Sequence, residues 1–71
     1  MTLDATRQKL QWIARQLRQK HRWMEDHGPT SKRPWPEHEV SNKREDIDML
    51  EAIASDYERV EARYLEREDA A

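Results

Sequence analysis

Four arginines in the first third of this 71-residue chain, Arg7, Arg15, Arg18 and Arg22, project within about 80° of one another if the segment is helical. Such a row can contact phosphates, and Gln11 sits among them. Trp12 and Trp23 lie eleven residues apart on the same segment, which is about three helical turns, so they share a face. Indoles beside arginines offer stacking surfaces to bases, which makes nucleic-acid or nucleotide binding through Arg7, Arg15, Arg18 and Arg22 one reading. The competing reading is a solvated basic face that pairs with acidic residues, and the net charge of −2 favours it, because a small nucleic-acid binder is usually strongly basic. Tryptophan and arginine are also the residue types that anchor protein interfaces. Trp12, Trp23 and Trp35 are therefore the expected partner-binding anchors, with Arg15, Arg18 and Arg22 supplying charge complementarity.

Other chemistry finds little to work with. A metal site needs three or four converging ligands, and the three histidines, His21, His27 and His38, form no pair at helical ligand spacing. There is no cysteine, so neither thiolate metal sites nor disulfides are available. One glycine cannot build a phosphate-cradling loop, and no serine sits in a glycine-rich nucleophile elbow. No metal, no cofactor and no catalytic residue are expected, and the chain reads as a binding protein, not an enzyme. The acidic residues of the second half could imitate nucleic-acid phosphates, but the interspersed Arg59, Arg63 and Arg67 look like local helix pairs.

These side chains must be carried by helices. Leu3, Leu10, Leu17 and Met24 recur every seven residues with Ile13 between them, which predicts an amphipathic helix over about 3–27. Thr2 or Asp4 can cap its start. Gly28 and Pro29 end it, glycine being able to take the left-handed position after a helix. Ala5, Trp12, Gln16 and Trp23 form a second stripe, about 120° around from the leucines. The stretch 28–36 holds all three prolines and reads as an extended connection. It is long for a helix–helix loop, and Trp35 packed on the open end of the hairpin would order it. Val40, Ile47, Leu50, Ile53, Ala54, Tyr57, Val60 and Tyr64 keep three-and-four spacing and predict a second helix ending near 68. Its start is open between about 37, with Pro36 at the first helical position, and about 42, with Asn42 and Glu45 as a capping box.

The expected architecture is all-α: one domain, 1–71, folded as an antiparallel two-helix hairpin. Residues 1–24 carry six bases against one acid, and residues 37–71 carry five bases against twelve acids. The basic helix then lies beside the acidic one. A core this small supplies at most about 3–5 kcal/mol without a staple. With disulfides unavailable, self-association into a helical bundle, most simply as a dimer, is the expected support, with binding or inhibition of a larger protein as a further role. No apolar run is long enough to span a membrane and no secretory leader is visible, so a cytoplasmic location is expected. Small, charged, cysteine-free helical hairpins are common among phage and mobile-element accessory proteins, and a role of that type is expected.

Overall fold

The computed structural model describes the backbone of residues 2–70 and the side chains of residues 2–68. Helix α1 spans Leu3–His27 and helix α2 spans Glu37–Ala70. They pack along their length as an all-α hairpin of 54 × 17 × 15 Å. The pairing is antiparallel: Arg7 meets Glu61, Lys9 lies over the Tyr57 ring, Lys20 meets Asp46, and Lys43 lies over the Trp23 ring. Each step up α1 is matched by a step down α2.

Local chemistry sets the ends of α1. The Thr2 hydroxyl accepts from the amide of Ala5 at 3.1 Å, satisfying one of the orphan donors of the first turn. At the other end Gly28 donates to the Met24 carbonyl at 2.8 Å. Gly28 has φ −75° and ψ −178°, so the left-handed conformation expected there is not used. Crowding is the reason for glycine: a Cβ at this position would fall inside contact distance of the Met24 carbonyl oxygen, which is backbone and cannot swing away. Gly28→Ala is therefore expected to cost about 1–3 kcal/mol, as overpacking does. A lowered midpoint of thermal melting followed by circular dichroism checks it, and an unchanged midpoint would contradict the crowding argument.

The connection is held by its own polar groups. The amide and hydroxyl of Ser31 both donate to the Gly28 carbonyl, at 3.0 and 2.7 Å, and the Trp35 amide donates to the His27 carbonyl at 3.0 Å. Helix α2 begins at Glu37, the earlier of the two expected starts. Pro36 stands just before the helix instead of inside its first turn, and its carbonyl accepts from Glu39 and Val40. Proline has no amide to lose at this boundary, and Glu37 and Glu39 face the positive end of the helix. Asn42 lies within the helix and is exposed. At its far end α2 runs to Ala70, two residues past the expected limit.

The seam uses two interleaved seven-residue rows from each helix. On α1 these are Leu3, Leu10, Leu17 and Met24, and Thr6, Ile13, Lys20 and His27, all buried or half-buried. On α2 they are Val40, Ile47, Ala54 and Glu61, and Lys43, Leu50, Tyr57 and Tyr64. Paired rows three and four apart are the knobs-into-holes pattern of a coiled coil. Only Ile13, Val40 and Ile47 are buried hydrophobic side chains among the described residues. Thr6 is completely buried, and its hydroxyl donates to the Thr2 carbonyl one turn back at 2.9 Å, so among the described residues no buried side-chain nitrogen or oxygen lacks a partner.

Candidate interaction surface

The seam leaves the hairpin with two broad faces of different character. One carries the interhelical ion pairs Arg7–Glu61 at 3.1 Å and His21–Glu51 at 3.7 Å, the latter ionic only when the imidazole is protonated. Both partners of each pair are substantially solvated, so each contributes about 0–1 kcal/mol. The opposite face carries Trp12 and Met49, which are 50% and 61% exposed, with half-buried Ile53 and Val60 beside them.

The placement follows from the repeats. Trp12 on α1 and Met49 on α2 stand at equivalent positions, one residue before the inner rows on the wheel, and Ile53 and Val60 stand on the shoulder between them and the seam. In an antiparallel pair these shoulders fall on the same side. Lys9, Trp12, Ile13, Leu50, Ile53 and Tyr57 line one shallow apolar groove of about 270 Å³ between the helices. The indole of Trp12 forms its outer wall and stays half in water.

The three tryptophans do not act together. Trp23 and Trp35 meet edge to face with ring centroids 5.8 Å apart, and His27 lies 5.5 Å from the first and 5.3 Å from the second. This cluster, with the Lys43 ammonium 5.5 Å from the Trp23 ring, pins the loop onto the end of the hairpin. Trp23 is half-buried by it, while Trp35 keeps an outward surface. Trp12 stands alone, three turns away.

The arginines also divide. Arg7 is held by Glu61. Arg15, Arg18 and Arg22 are exposed on the outside of α1, and none of the three is ion-paired among the described residues. Their stems, with Gln19, His21 and Glu25, border a recess of about 600 Å³. It is larger than the apolar groove, but it lies along a single helix and is open to solvent. The acids of α2 are partly spoken for as well: Arg59 pairs with Asp56 one turn away, and Lys20 reaches Asp46 at 3.6 Å.

Sequence reasoning singled out Trp12 but not Met49. The available signal was that Met49, Ile53 and Val60 are more apolar residues than one seam can use, at four- and seven-residue spacing. Among the described residues no three potential metal ligands converge, and no helix is long and apolar enough to cross a membrane. Compared with known protein families, curated proteins and solved structures, the chain matches none.

Proposed function

We propose that this chain is a non-catalytic protein-interaction module that associates with copies of itself, most simply as a dimer, through the Trp12 face. The observation that carries this reading is the asymmetry of the hairpin. One broad face carries the Arg7–Glu61 and His21–Glu51 pairs, and the other, which also holds the Lys20–Asp46 pair, leaves Trp12 and Met49 in water around an apolar groove. Among the described residues, three buried hydrophobic side chains are a thin core for two helices of 25 and 34 residues. Closing the open face against a second hairpin would complete a four-helix core. The exposed Trp35 surface and the Arg18 side chain then remain outside, free to engage a larger protein, with Arg15 and Arg22 at the rim of the closed face.

Light scattering across a concentration series tests the reading. The expected result is a mass of twice 8.6 kDa that falls toward 8.6 kDa on dilution. A folded monomer at every concentration would overturn it.

The unpaired state of Arg15, Arg18 and Arg22 favours one second reading, an anionic ligand such as nucleic acid on the outside of α1. Arg7, engaged by Glu61, would add little to it. If this reading holds, affinity for a short duplex falls steeply with added salt, and Arg18→Ala reduces that slope by about one contact. Absence of binding at low salt removes it.

A further inference from the structure

We infer that the second hairpin docks with its connection at the same end as the first, the two-fold axis running along the helices. This rests on self-association through the Trp12 face and adds the arrangement. Two symmetric ways exist to press that face against its copy. With the axis parallel to the helices, α1 of one hairpin lies on α2 of the other and both 28–36 connections share an end. With the axis across the helices, α1 lies on α1, α2 lies on α2, and the connections point in opposite directions.

Charge separates the two. Helix α1 holds six bases and three acids, and α2 holds five bases and twelve acids. In the same-end arrangement every pair of neighbouring helices is opposite in sign: α1 with α2 within each hairpin, and α1 with α2 between them. The opposite-end arrangement keeps the two internal pairs and adds two like-signed ones.

The rim of the apolar face points the same way. Exposed Arg15 and Arg22 project along the outer edge of α1, and exposed Glu45 along the outer edge of α2. The Lys20–Asp46 and Lys43–Trp23 contacts place Glu45 at the level of Arg22 within one hairpin. An axis parallel to the helices preserves that level, so Arg22 of each copy meets the Glu45 edge of the other. An axis across the middle of α1 instead sets the Arg15 regions of the two copies against each other. The same-end arrangement also places both Trp35 surfaces at one end of the dimer.

The absence of cysteine lets one introduced thiol report the arrangement. A nitroxide attached to Lys32→Cys, at an exposed loop position, is measured in the full-length chain by pulsed electron paramagnetic resonance. Same-end docking is expected to place the labels within about 30 Å, given helix spacings of 8–10 Å and flexible label arms. The same label at exposed Glu66→Cys, near the other end of α2, is expected to give a short distance as well. Long distances at both sites, approaching the 54 Å length of the hairpin, would overturn the arrangement and leave self-association intact. A labelled chain with monomer mass and no dipolar signal would overturn both.

Discussion

Ile13→Ala is expected to leave little of the hairpin folded at 37 °C. Ile13 is 3% exposed and sits at the centre of α1's inner row. Truncating a buried isoleucine to alanine costs about 2–5 kcal/mol, the spread depending on how far the neighbours collapse into the space. A hairpin of this size commands about 3–5 kcal/mol in total. One substitution therefore consumes most of the stability. The check is a loss of helical ellipticity at 37 °C, with partial recovery at high protein concentration, because association with a folded second copy adds stability by mass action. The same truncation at Ile53, half-buried on the shoulder of the open face, is expected to change ellipticity far less. Equal losses at both positions would mean that the seam is misplaced by one row.

The second large effect separates two tryptophans that look alike in the sequence. Trp12→Ala is expected to keep the helical spectrum of the hairpin in the cold and to abolish the dimer at concentrations where the parent is fully associated. A central tryptophan anchor is worth about 2 kcal/mol or more, close to a 30-fold weaker dissociation constant, and a symmetric dimer loses two of them. Trp23→Ala is expected to act on the hairpin itself. It removes the edge contact with Trp35 and the contact with His27, which together are worth about 1–3 kcal/mol at 0.5–1.5 each. Its readouts are a lower melting midpoint and a red-shifted emission from Trp35 as the loop end opens. Sedimentation and melting of the two single variants decide the matter. Unfolding by Trp12→Ala would make that ring core, and an intact Trp12→Ala dimer would remove it from the interface.

Much of the architecture was legible in the sequence because helices and their ends are written in short-range patterns. The leucine row of α1, the three prolines of 28–36 and the apolar spacing of α2 define two helices and one break between them. Position left Thr2 and Asp4 both open as the cap, and the hydrogen bond from the Ala5 amide selects Thr2. The opposite charge of the halves favours folding back, and the observed pairs Arg7–Glu61 and Lys20–Asp46 join basic α1 to acidic α2. The second row of the α1 seam was harder to read, since Thr6, Lys20 and His27 are polar. Thr6 belongs there because its hydroxyl is satisfied one turn back, and Lys20 because its long stem can be covered while its ammonium reaches Asp46.

Three things were visible only in the folded structure, the first of them local and the other two tertiary. The first is why residue 28 is glycine: the conformation is ordinary, and the demand comes from the Met24 carbonyl. The second is the division of labour among tryptophans. Helical spacing puts Trp12 and Trp23 on one face, but Trp35 arrives from the connection and covers only Trp23. The third is the partner of the Trp12 stripe, because Met49 and Ile53 join it only once the antiparallel register sets the flank of α2 beside that of α1. Periodicity along one helix states which residues share a side. Which two sides meet, and which apolar side is left in water, depends on bringing together residues about forty positions apart, such as Trp12 and Ile53, which line one groove, and that information exists only when the chain has folded.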